Sequence, residues 1–168
     1  MWLQSLRSAN AELRQRALVR LADSATTVRP LIEKIVADFL AAPDDRTADI
    51  PLIHALRTLL QKRQASDAER LREAVTRSVP QLHVATGLVL KVDAEGSVVG
   101  AATYDGPLDK AVEQTILRLL AKRQFKAHEI TGRVQFPMDQ QKALRLLDFR
   151  DPTDRFFEYL RMRRGPLD

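Results

Sequence analysis

The chain has 168 residues, 45% hydrophobic and 29% charged, which is long enough to bury a substantial core and balanced as a globular protein is, rather than a disordered one. It contains no cysteine, which excludes disulfides, thiolate nucleophiles, iron–sulfur clusters and Cys-ligated zinc. Lys and Arg number 27 against 22 Asp and Glu, giving +5, but residues 1–64 mix ten basic with seven acidic residues, the pattern of a solvated surface more than of a phosphate track.

The first half of the chain reads as helices. Trp2, Leu3 and Leu6 form a short apolar patch, and Asn10 is placed to cap a helix carrying Leu13, Ala17, Leu18 and Leu21. Val28, Leu31, Ile32, Ile35, Val36, Phe39 and Leu40 then recur at three-and-four spacing, the cleanest helical period in the sequence. Pro43-Asp44-Asp45 breaks the chain, and a helix starting near Asp49 buries Ile53, Leu56, Leu59 and Leu60. Ser66 followed by Glu69 has the form of a capping box, predicting a separate helix with Leu71, Val75 and Val79 that ends near Pro80.

The second half changes period. Leu88, Leu90 and Val92 alternate with Val89 and Lys91, Asp93 to Gly96 supplies a turn, and Ser97 to Tyr104 returns as the second arm of a hairpin. Gly106-Pro107 is expected to open a helix with Pro107 in its first turn, and Leu108, Ala111, Val112, Thr115, Ile116, Leu119 and Leu120 to face the sheet. Thr131 to Phe136 reads as a last strand and candidate sheet edge, Asp139 to Asp148 as a short helix, and Asp151-Pro152 as the start of a final one.

Two resemblances follow from these segments. Asn10-Ala11-Glu12-Leu13-Arg14-x-x-Ala17-Leu18-x-x-Leu21 resembles the first helix of a HEAT repeat, and Ala55-Leu56-x-x-Leu59 echoes part of it 38 residues later. That resemblance implies paired helices that present one face to a protein or peptide, with no active site. Gly87 to Val92, Asp93-x-x-Gly96, Leu108-Asp109-x-Ala111-Val112 and Thr131 to Phe136 stand in the order of a TonB C-terminal domain. This likeness covers about 50 residues of the chain and implies a β-β-α-β unit, of a kind used in bacterial multiprotein assemblies, with an edge able to accept an extended strand. The membrane anchor and Pro-rich spacer of TonB-like proteins have no counterpart in the sequence, so energy transduction is not implied.

Candidate chemistry is sparse. His54, His83 and His128 stand apart from one another and from any metal-ligand spacing; Asp44-Asp45-x-x-x-Asp49 has the form of loop and capping usage. The six glycines, at 87, 96, 100, 106, 132 and 165, form no phosphate-binding loop, and no serine sits in a nucleophile elbow. No metal, cofactor or catalytic residue is predicted. The most suggestive surface feature is the last helix, where Arg155, Arg161, Arg163 and Arg164 flank Phe156, Phe157 and Tyr159. Such a helix suits a partner groove, an anionic membrane surface or RNA, or alternatively tucks its aromatic side chains into the core with its arginines in water.

The sequence therefore predicts an α+β protein: residues 1–80 helical, 81–138 a β-β-α-β unit and 139–168 short closing helices, packed as one body. No stretch approaches a membrane span and no signal-peptide core is present, so a cytoplasmic location is expected. The expected function is that of a non-enzymatic, protein-binding adaptor or scaffold subunit. The alternative is a nucleic-acid-binding accessory protein that uses Arg-rich helical surfaces.

Overall fold

In a computed structural model, which describes residues 1–78, 87–122, 125–136, 145–147 and 151–164, the fold is α+β with a helical N-terminal half. Helix α1 (Trp2–Leu6) is followed by α2 (Ala11–Asp23), α3 (Arg29–Ala41), a 3-10 turn at Pro43–Asp45, and α4 (Asp49–Ser78). Asn10 caps α2 as its sequence position predicts, its side-chain oxygen accepting the N–H groups of Glu12 at 2.9 Å and Leu13 at 3.4 Å. The period read in α3 is equally faithful, with Ile32, Ile35, Val36 and Phe39 buried on one stripe.

The capping box at Ser66 does not cap anything. Residues 49–78 form one uninterrupted helix of 30 residues, in which Ser66 is exposed and Glu69 pairs with Arg72 one turn on. The physical reason is the apolar stripe, whose three-and-four spacing runs through Leu52, Leu56, Leu60, Gln64, Ala68, Leu71 and Val75 without a change of phase, and all seven are buried. With no Gly or Pro between residues 52 and 78, nothing ends the helix.

The chain divides into two units: Met1–Lys62 with Asp151–Asp168, and Arg63–Arg150. The boundary expected near residue 80 thus falls inside α4, and the closing helix α6 (Asp154–Arg164) belongs with the N-terminal helices. The first unit's core joins Leu21, Ile32, Phe39, Ile53, Leu56 and Phe156, among others, with α6 packed against α3.

The second unit is built on a five-stranded antiparallel sheet of order β3-β2-β1-β4-β5. Strands β1 (Leu88–Val92) and β2 (Val98–Thr103) form the expected hairpin, with a register shift at Lys91/Val92. Leu88, Leu90 and Val92 turn inward, where they meet Leu71 and Val75 of α4, Ile116 and Leu120 of α5 (Lys110–Lys122), and Val134 of β4 (Gly132–Phe136). Several expectations are corrected here. Gly106-Pro107 is a short strand, β3, paired with Ala102 and Thr103, and α5 begins at Lys110, where Asp109 accepts the Ala111 N–H at 3.1 Å in place of a proline start. The inward stripe of α5 is narrower than predicted: Ile116 and Leu120 are buried, whereas Ala111, Val112 and Thr115 are exposed. Strand β4 is no edge, because β1 and β5 (Arg145–Leu147) flank it. Residues 145–147 are accordingly strand rather than the end of a helix, and their pairing satisfies β4 backbone groups that would otherwise need solvent. The other residues of the expected 139–148 helix lie outside the described ones.

The turn at Asp93 to Gly96 ties the hairpin to the segment after α5. Asp93 accepts the N–H groups of Glu95 and Ser97 through one carboxylate oxygen, and Gly96, at φ +80°, accepts the Ala127 N–H on its carbonyl. A Cβ at residue 96 would stand 1.6 Å from the Ala127 carbonyl oxygen, so both the backbone conformation and the close approach demand glycine. Gly96→Ala is expected to lower stability by about 2 kcal/mol or more, read as a shift of the denaturant midpoint. Gly100→Ala, whose Cβ meets only the Lys91 side chain and no closer than an ordinary 3.5 Å, is expected to change it by less than about 1 kcal/mol. Equal shifts at the two positions would contradict this account of the turn.

Candidate functional site

The aromatic side chains of α6 face inward. Phe156 is completely buried, edge-on to Phe39 at 5.4 Å and to Phe157 at 5.1 Å. Phe157 is half-buried under the Arg57 guanidinium, 4.4 Å from the ring centre, and Tyr159 stands edge-on to Phe39 at 5.5 Å. Arg57 also lies 3.7 Å from Asp151, which ties the start of the α6 segment to α4. Of the residues singled out on this helix, Phe156 is a core residue, and Phe157 and Tyr159 hold α6 to α3 and α4. Arg155, Arg161 and Arg163 are exposed. Arg163 donates to the Tyr159 hydroxyl at 2.7 Å and to Asp44 at 3.1 Å, and Arg164 lies in the last turn of the helix. The arrangement is the inward alternative of the sequence reading.

Two carboxylate clusters do structural work. In the second unit, Asp67 of α4 accepts the backbone N–H groups of His128 and Glu129 on one oxygen. Arg63 meets the Glu129 carboxylate at 3.1 Å, and Gln64 donates to the Glu129 carbonyl at 3.4 Å. The loop after α5 is thereby fastened to α4 by buried groups that all have hydrogen-bond partners, as burial requires. His54 is exposed beside Phe156 and Phe157, and His83 lies outside the described residues. Among the described residues no three His, Asp or Glu side chains form a metal-binding group, and no helix is long and apolar enough to cross a membrane.

In the first unit, Arg7 follows α1 and reaches two elements. Its guanidinium forms a fork on Asp49, with Nε to Oδ1 at 3.2 Å and Nη2 to Oδ2 at 2.9 Å, and its Nη1 donates to Asp38 of α3 at 3.0 Å. Lys34 holds the other Asp38 oxygen at 2.9 Å. Burial opposes the charge on Arg7, but the hydrogen bonds to Asp49 and Asp38 outweigh it and raise its pKa. Asp49, expected as an ordinary helix-start residue, is in fact the buried anchor that fixes the start of α4 to the end of α1.

This anchor forms one wall of a groove of about 630 Å³. Its apolar surface comes from Leu6, Leu18, Pro51, Leu52 and Ala55, and Ala11, Arg14 and Gln15 of α2 stand opposite the start of α4. Arg14 is exposed and donates through Nη1 to the carbonyls of Ser8 at 2.7 Å and Ala9 at 3.1 Å, which fixes its guanidinium at the rim. The first half of α2, Ala11 to Arg16, buries nothing, and Leu13 is 48% exposed. Sequence reasoning missed the groove because its walls are more than 30 residues apart. The one local signal is the Ala-rich spacing shared by α2 and α4.

The hydrogen bond from Lys34, reinforced by that from Arg7, holds the Asp38 carboxyl below its ordinary pKa. A depressed native pKa contributes stability that is present above the unfolded value, near pH 4, and is lost as pH falls through the folded one. Asp38→Asn removes that contribution, so urea midpoints measured from pH 6 down to pH 2.5 should fall less steeply in the variant than in the wild type. Parallel curves would contradict the assignment.

Comparison with protein-family models, with curated proteins and with solved structures finds no match to this chain in any of the three.

Proposed function

We propose that the chain is a non-enzymatic adaptor or assembly subunit, of the kind found in bacterial multiprotein complexes, that binds another protein in the groove between α2 and α4. The observation that carries this reading is the groove itself: an apolar recess lined by two helices, with its start-of-helix wall fixed by the Arg7 ion pairs and an oriented arginine at the rim. Recognition of a partner segment needs a preorganised shape and a few anchors, and this surface has both. The other two surfaces considered from sequence offer less. The α6 aromatic rings are engaged within their own unit, and β4 has strands on both sides. The resemblance of Asn10 to Leu21 to a HEAT helix agrees with a role in which one helical face receives a peptide, and the buried carboxylates of Asp49, Asp67 and Glu129 serve the fold.

Affinity purification from the native host, split into nuclease-treated and untreated halves, tests this. The wild-type chain should retain a stoichiometric protein after nuclease, and Ala11→Trp, a change at an exposed rim position, should lose it while keeping the wild-type circular dichroism spectrum. Recovery of nucleic acid alone, lost on nuclease treatment and weakening steeply with salt, would contradict the proposal in favour of binding through the basic helical surface.

A further inference from the structure

We propose that the groove between α2 and α4 selects a peptide segment carrying an acidic side chain among apolar ones, the carboxylate being received by Arg14; this inference rests on the adaptor reading above. The argument is one of charge complementarity. Of the charged side chains lining the groove, Arg7 and Asp49 satisfy each other, and Arg7 is further matched by Asp38. Arg14 is different. Its contacts within the described residues are the carbonyls of Ser8 and Ala9, both made through Nη1, and no carboxylate of the described residues lies within ion-pairing distance of it. A guanidinium has five N–H donors in a planar fork, so Nε and Nη2 remain to receive a carboxylate side by side, the geometry in which arginine is most selective.

The two carbonyl bonds also reduce what binding would cost, because the Arg14 head is already oriented and little rotamer freedom is left to lose. Two N–H groups of the first turn of α2 that might compete for the same anion, those of Glu12 and Leu13, are occupied by the Asn10 side chain. Apart from Gln15, Ser8 and the mutually paired Arg7 and Asp49, the lining beside Arg14 is apolar or small, with Leu18, Pro51, Leu52 and Ala55 forming the recess. A nucleic-acid backbone would need a run of cations along its path, whereas one fixed arginine above an apolar recess fits one carboxylate flanked by Leu, Ile, Met or Phe. A neutral occupant forgoes that charge-assisted pair, and a basic one meets a like charge.

The full chain, immobilised, would be used to select from a random twelve-residue peptide library displayed on phage, with counter-selection on Ala11→Trp. The expected result is enrichment of peptides with an Asp or Glu between apolar residues. A synthetic representative should bind Arg14→Glu at least about tenfold more weakly than wild type and Arg14→Lys with a smaller loss. Replacing its acidic residue with Lys should restore binding to Arg14→Glu. Arg14→Gln, which keeps a neutral donor, provides the comparison if Arg14→Glu alters the melting curve. Enriched peptides that lack an acid, or that bind Arg14→Glu and wild type alike, would overturn the acidic selectivity while leaving the adaptor reading in place. No enrichment over the Ala11→Trp background would overturn both.

Discussion

One helix supplies the apolar stripe of two cores. Over roughly 45 Å at 1.5 Å per residue, α4 places Leu52, Ile53, Leu56 and Leu60 in the first unit's core and Ala68, Leu71, Ala74 and Val75 in the second's. Each of those leucines is worth about 1.5–3 kcal/mol when fully buried, so both cores draw part of their apolar stabilisation from this helix. Between the two apolar stretches the same stripe turns polar at Gln64 and Asp67, which are buried but fully employed in holding the loop at His128 and Glu129. A buried polar pair in mid-helix is tolerable because backbone N–H and C=O groups of that loop meet it.

The start of the helix is fixed by a comparable device. Asp49 is nearly inaccessible, and a carboxylate in such a place is costly unless a cation forks onto it. Arg7 does so and simultaneously reaches Asp38. The end of α1, the last turn of α3 and the start of α4 are therefore joined through one guanidinium, and the groove beside them inherits its shape from that junction. Shape at a binding surface is useful to the extent that it is set before the partner arrives, and here the setting is done by an ion pair that itself forms part of the groove wall.

What was legible in the sequence was local and periodic. Asn10 could be read as a cap because its side chain serves N–H groups two and three residues ahead, and α3 could be read because four buried residues repeat at helical spacing. The alternation of Leu88, Leu90 and Val92 around a Gly96 turn gave the hairpin for the same reason. Failures came where a local pattern was overruled by something distant. Ser66 and Glu69 imitate a helix start, but Glu69 finds Arg72 and the apolar stripe keeps its phase. Residues 145–147 have helix-compatible spacing around them and become strand because β4 offers backbone partners. Arg7 and Asp49 are 42 residues apart, and the two walls of the groove are nearly as far, so neither the anchor nor the candidate site has a signature in any short window. The arginine–aromatic composition of α6 was visible, but composition alone does not say which way Phe156 points.

The continuity of α4 is the claim on which both cores rest, and backbone chemical shifts with amide hydrogen exchange across residues 49–78 test it most directly. An unbroken helix gives helical carbon shifts throughout and slow exchange through Arg63 to Leu71, including the amides of Asp67, Ala68 and Glu69. Two helices meeting at Ser66 would show non-helical shifts there and fast exchange in the first turn that follows, and that result would contradict the account.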